Sequence, residues 1–204
     1  MRNMKYIVGA ALGLTMLTSG GAQAAEDITA TLHNLSNGTE GICVYCHTPH
    51  NGDITGTAPL WNRVNPTTPG TFAMYTSPTM DMIQAADPQD ISLACLSCHD
   101  GATAYNNTVV NPLSLSKAGF MVGVKAVGAD GLTNDHPISV TYNNVAGPGG
   151  DIAFNAQPAS LPFYGATGDQ LECATCHNPH EATNLKFLRV NNVNSSLCVT
   201  CHIK

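Results

Sequence analysis

The hydrophobic positions of this chain form one sustained run and otherwise break into fragments. The run is Ile7 to Leu17, close to the N-terminus. Beyond it, apolar residues come in short groups separated by Gly, Pro, Asn and Thr, and no long stretch keeps a helical or strand period. Asp87-Pro88-Gln89-Asp90 reads as an N-cap, a first-turn proline and an acid at the third helical position, which predicts a brief helix running into Cys95. Asp169 and Asn194 are placed to cap similar turns further on. Ile138, Val140 and Tyr142 alternate after His136 and predict one short strand. Gly147-Pro148-Gly149-Gly150 reads as loop. The expected fold is mostly irregular coil with short α-helices and few short strands. So much coil counts against an ordinary globular domain, so something besides side-chain packing has to order this chain.

The one apolar run has the flanks of an export signal. Arg2 and Lys5 precede it, and Ala22-Gln23-Ala24 offers a small-residue cleavage site. Residues 1–24 are expected to be a signal peptide, leaving a mature chain of residues 25–204 outside the cytoplasm. No later stretch approaches the roughly 20 apolar residues of a membrane span.

The cysteines carry the chemistry. All eight lie in four copies of one pentapeptide, each ending in histidine: Cys43 to His47, Cys95 to His99, Cys173 to His177 and Cys198 to His202. C-x-x-C-H is the attachment signature of c-type haem. The paired thiols Cys43 and Cys46, Cys95 and Cys98, Cys173 and Cys176, and Cys198 and Cys201 add across the haem vinyl groups. His47, His99, His177 and His202 then stand under the irons. A zinc knuckle, a redox dithiol or a local disulfide would each use C-x-x-C, but none requires histidine directly after the second cysteine. The cofactor expected is haem c, four copies, covalently bound.

Four haems change the reading of the composition. About 45 residues serve each motif, large apolar side chains are sparse, and the polypeptide alone would build a poor core. It reads as a multihaem cytochrome c wrapped around a haem chain. The order C-x-x-C-H-x-P-H, an apolar-Arg-Val patch and a plain C-x-x-C-H occurs twice, with Arg63 and Arg189 in the two patches. This predicts two-haem modules at about 33–99 and 173–204, joined by a loop-rich segment 100–172.

Four histidines lie outside the motifs: His33, His50, His136 and His180. They match the four distal ligands that four irons need, so every iron can be bis-histidine. Met74, Met80, Met82 and Met121 are the competitors, and a methionine ligand would raise the haem potential. His50 and His180 each follow their motif histidine by three residues across a proline. Opposite-face ligation prevents either from serving its own haem, so each must reach a neighbouring one. Pro137 stiffens the segment of His136. His33 lies near one end of the mature chain and the fourth motif at the other, which permits a head-to-tail contact between copies, and the haem receiving His33 can equally lie in the same subunit. Such a contact grows into a filament when it does not close.

Charge removes some partners. Without Arg2 and Lys5 the chain carries 14 acids against 6 bases, net −8. There is no basic stripe for nucleic acid, and anionic membrane surfaces would repel the chain.

With these residues assembled, the chain resembles the extracellular tetrahaem c-type cytochromes of metal-reducing bacteria that polymerise into nanowire filaments. The likeness rests on Leu32-His33-Asn34-Leu35-Ser36, on Cys43 to His50 with its Thr-Pro-His ending, on Pro59-Leu60-Trp61-Asn62-Arg63, on Cys95 to Gly101, and on His136-Pro137. It implies a continuous haem chain with one distal histidine donated by the adjacent subunit, and His33 is the candidate for that role. The function implied is electron transfer without catalysis, in a homopolymer outside the cell or at its surface. A redox protein would be the donor and an extracellular acceptor such as a metal oxide would be the sink. A monomeric periplasmic shuttle is the alternative. A multihaem reductase would need one open iron beside catalytic donors.

Overall fold

A computed structural model describes residues 28–53, 58–65, 72–106, 110–111, 117–123, 126–127 and 130–203. The expected signal peptide, residues 1–24, lies outside the described residues. Regular structure is sparse, as the pattern predicts. Three α-helices, α1 (Asp90–His99), α2 (Cys173–Cys176) and α3 (Ser196–Cys201), carry the second, third and fourth motifs. Two-residue strands β1 (Val140–Thr141) and β2 (Gln170–Leu171) pair antiparallel, Val140 opposite Leu171. Short 3-10 turns fill Ile28–Ala30, Leu185–Phe187 and Val193–Ser195. No helix among the described residues is long and apolar enough to cross a membrane.

The helices start later than the local cap signals predict, and tertiary bonds explain the shift. Gln89, not Asp87, is the N-cap of α1. Its N–H donates to Ser139 Oγ at 2.9 Å, which holds the residue extended where a helix would otherwise have begun. Asp90 then takes a left-handed φ of 49°, and its carboxylate accepts the Gly165 N–H at 2.8 Å. Asp169 does not cap α2, because its carbonyl belongs to the strand pairing through Tyr142 N–H at 2.8 Å. Glu172 caps α2 instead. Before α3 the side chain that receives a helix N–H is Asn192, from Leu197 at 3.2 Å, and not Asn194.

The core is small and divided. Met82, Val140, Tyr142, Leu161, Leu171 and Cys201 form one buried cluster, and Phe72, Leu96, Leu132 and Ile138 form another. Ile138, Val140 and Tyr142 all point inward, as their alternation predicts, although the strand proper covers only two residues. The segment expected to be a connection, 100–172, supplies many of these buried side chains. It contributes to both clusters, while α1 packs directly on α2.

Candidate functional site

Three of the four motifs are built to one plan. In the first, the His47 N–H closes a turn onto the Cys43 carbonyl at 2.8 Å. The chain leaves through Thr48-Pro49-His50 and returns at Leu60 to Asn62. There the Asn62 N–H donates to the Cys46 carbonyl at 2.8 Å and its side-chain amide to the Val44 carbonyl at 2.6 Å. Gly52 is required on the outward arm, because a Cβ there would meet the Leu60 backbone at 2.7 Å. The third motif repeats the clasp with a different side chain. Arg189 N–H donates to the Cys176 carbonyl and Arg189 Nε to the Ala174 carbonyl, both at 2.8 Å. Leu60 and Phe187 hold the same left-handed turn, at φ 53° and 60°. At the fourth motif the clasp comes from far upstream. Asn155 N–H donates to the Cys201 carbonyl at 2.7 Å and its amide to the Val199 carbonyl at 3.0 Å.

Asn62, Arg189 and Asn155 are therefore equivalent, and sequence reasoning missed all three in this role. Matching Arg63 to Arg189 sets the repeat one residue out of register. The available signal was an aromatic-Asn pair, Trp61-Asn62 and Phe154-Asn155, which the third motif replaces with Leu188-Arg189. The second motif lies on α1 and is held otherwise: Arg63 Nη2 donates to the Ser97 carbonyl at 3.1 Å, and Val127 N–H to the His99 carbonyl at 2.7 Å.

The clasps also orient the motif histidines. His47 Nδ1 lies 2.7 Å from the Pro59 carbonyl and His177 Nδ1 2.9 Å from the Lys186 carbonyl. A carbonyl can only accept, so the proton sits on Nδ1 and leaves Nε2 as the lone-pair nitrogen for a metal. His136 Nδ1 has the same relation to the Pro137 carbonyl at 2.9 Å.

Three non-motif histidines face three motif histidines. The ring centres stand 6.2 Å apart for His33 and His99, 6.1 Å for His47 and His180, and 6.3 Å for His136 and His202. An iron bound at about 2.0 Å by imidazoles on opposite faces separates the ring centres by about 6.3 Å. The planes may take any angle, since both contain the ligation axis, and 23°, 71° and 76° all occur. Burial and the neighbouring His99 lower the pKa of His33, and burial and His47 lower that of His180, so both favour the neutral form that binds a metal. Of the two placements open to His33, another subunit or its own, the structure has its ring facing His99 of its own chain. His50 and His177 are exposed and belong to none of these three ring pairs, although His177 lies near enough to His33 to act on it electrostatically.

The thiols follow one line through the molecule. Cys98 acts electrostatically on Cys46, Cys95 hydrogen-bonds Cys173, and Cys201 acts on Cys176. The motifs are therefore neighbours in sequence order. Burial pushes the Cys46 thiol up to about 12 and the Cys176 thiol up to about 11. Such groups keep their protons, as addition across a vinyl group needs, whereas a zinc site takes thiolates. Large apolar side chains stand exposed beside the ligand histidines, with Leu32 next to His33 at 71 % and Leu185 beside the His177 acceptor at 82 %. The residues present fit haem: paired imidazoles, paired thiols and apolar flanks. Met82, a possible rival ligand, is packed in the core.

Residues 166–204 match the model of the doubled CXXCH motif family. No curated protein matches the chain. The matched segment covers the third and fourth motifs and indicates a multihaem c-type cytochrome, with covalently bound haem and an electron-transfer role. Haem attachment of this type is ordinarily completed outside the cytoplasm.

Proposed function

We propose that the chain is an exported electron carrier with four bis-histidine c-type haems, which assembles into an extracellular filament and passes electrons to an acceptor such as a metal oxide. The observation that carries this reading is the set of three histidine pairs with ring centres 6.1–6.3 Å apart, each joining a motif histidine to a non-motif one. Bound haem supplies a one-electron couple, which two imidazoles hold toward the low end of the haem range. The chain's own part is to fix both axial positions, so that nothing else binds and little moves on electron transfer. The four thiol pairs hold the cofactors in one file, and Asn62, Asn155 and Arg189 hold the motif backbones. Nothing in this arrangement makes or breaks a substrate bond.

The three pairs leave His50 and His177. One is a distal-type ligand without an iron to face, and the other is a proximal ligand without an opposite imidazole. Both are exposed, so they complement one another between copies. His50 of one copy reaching the iron over His177 of the next is a heterologous contact, which propagates as a filament unless it closes into a ring. Donation thereby passes from His33 to His50, because His33 already has a partner in its own chain.

Electron microscopy of the extracellular fraction, with His50→Ala and His33→Ala alongside, tests this. Filaments are expected in the native sample and in His33→Ala but not in His50→Ala. Discrete particles throughout, with every iron low-spin, would leave the monomeric periplasmic shuttle. His177, exposed and outside the three ring pairs, favours one second reading, a monomer whose third iron is open to nitrite, hydroxylamine or a sulfur oxyanion. A ferric spectrum that shifts with cyanide in every preparation would select that reductase.

A further inference from the structure

Glu172 is a buried carboxyl at a joint between two motifs, 1 % exposed. It caps α2 directly before Cys173, a haem anchor that leaves the iron to His177. Its side chain crosses to Ser92, three residues before Cys95 on α1. Oε2 accepts the hydroxyl protons of Ser92 at 2.5 Å and of Ser139 at 3.0 Å. Each hydroxyl gives its proton to Oε2 while its own oxygen takes one backbone N–H. Ser92 Oγ accepts the Cys173 N–H at 3.0 Å and Ser139 Oγ the Gln89 N–H at 2.9 Å, and an N–H can only donate. Oε1 is buried and has no partner. Oε1 is the oxygen that no donor occupies and so the one open to a proton, and a buried anion with one oxygen unpaired is costly enough to make protonation accessible. Burial pushes the carboxyl up to about 7, against the pull of the two serine hydroxyls and of the Ser139 and Thr175 backbone N–H groups. Of the elements packed around it, α1 brings Asp90, which pushes the same way, together with Cys95, Cys98 and His99; β1 and β2 bring no titratable side chain, and α2 brings Cys173 and Cys176.

We propose that Glu172 is a redox-linked proton site, taking up one proton at Oε1 when the haems anchored through Cys95 and Cys173 are reduced and releasing it on reoxidation. The inference rests on the haem reading above. The electron comes from the protein's redox donor, or from dithionite in the test. The proton comes from solvent, an Oε1–H bond forms, and no other bond changes. The place of Glu172 supports this, since the anchors on either side, Cys95 and Cys173, adjoin each other.

The sign follows from charge. An added electron raises the proton affinity of Glu172, so by linkage its deprotonation lowers the potential of those haems. A unit charge roughly 12 Å away at an effective dielectric of about 20 changes a proton affinity about tenfold. The potential should be flat at low pH, fall as pH rises across a window near neutrality, and flatten again above it.

Spectroelectrochemical titration of the haem-loaded mature chain from about pH 5.5 to 8.5 tests this, with haem content counted first. The expected fall corresponds to a severalfold to tenfold change in proton affinity on reduction, and Glu172→Gln abolishes it. Reduced-minus-oxidised infrared spectra should show the carbonyl stretch of a buried carboxylic acid, lost in Glu172→Gln, which a purely structural role would not produce. Ser139→Ala removes one donor to Oε2, so it should move the window to higher pH, and it serves if Glu172→Gln fails to mature. A flat wild-type profile, a fall and band that persist in Glu172→Gln, or a window unmoved by Ser139→Ala would overturn the proposal. A chain without haem would instead overturn the reading beneath it.

Discussion

Arg63 is fully buried, and its cation is met by three main-chain carbonyls. Nη1 donates to Tyr105 at 2.6 Å, and Nη2 to Ala104 at 3.0 Å and Ser97 at 3.1 Å, while Nε has no partner. No carboxylate pairs with it among the described residues. The guanidinium fork ties the loop after the second motif to α1, a geometry that lysine cannot reproduce. Its charge also acts on the Cys46 and Cys98 thiols, one from each of the first two motifs. A fixed cation beside a haem favours the electron-rich state, so Arg63→Gln should lower the potentials of the haems on those motifs. Leaving buried carbonyls unpaired should cost about 2–3 kcal/mol of stability. Redox titration and thermal unfolding of the loaded protein check the two effects, and an unchanged potential would mean that the charge is screened.

At the scale of elements, a four-residue helix such as α2 has no stability of its own, since nucleation alone exceeds what its hydrogen bonds return. It survives because its start is held twice. Glu172 and Thr175 form a reciprocal cap, with the Glu172 N–H donating to Thr175 Oγ1 at 3.0 Å, and the Arg189 clasp secures its end. Thr175 is fully buried, so Thr175→Val keeps the volume and removes the acceptor. The expected cost is about 1–2 kcal/mol, read as a lowered thermal midpoint with normal haem content. Pyridine haemochrome and calorimetry distinguish a weakened cap from failed haem attachment.

For the whole molecule, the two small clusters of buried side chains among the described residues are too little to order the chain against its conformational entropy. The cofactors have to supply the missing apolar surface, which the exposed flanks at Leu32 and Leu185 are placed to meet. Produced without haem attachment, the mature chain should lack a cooperative thermal transition and near-ultraviolet circular dichroism, both present in the loaded form. A cooperative transition in the haem-free chain would show a core sufficient by itself. The line of thiols from Cys46 through Cys98, Cys95, Cys173 and Cys176 to Cys201 carries the same lesson, because the order of motifs in space is built by contacts between anchors rather than by layers of secondary structure.

Some of this was determined by the sequence alone, because its signals are local. The C-x-x-C-H pentapeptides place thiols and imidazole within one turn, the scarcity of periodic apolar runs predicts coil, and Ile138, Val140 and Tyr142 show their buried face by alternation. Helix starts were less legible: Gln89 and Glu172 displaced Asp87 and Asp169 because long-range bonds to Ser139 and Ser92 outweigh a local cap. The pairing of histidines was not legible at all. Which imidazole faces His47, His99 or His202 depends on how loops far apart in the chain fold back, and no spacing encodes that. Tertiary structure alone set His33 opposite His99 and aligned Asn62, Asn155 and Arg189 as one clasp. It also closed Ser92 and Ser139 around Glu172, since each of these contacts joins residues that only packing brings within reach.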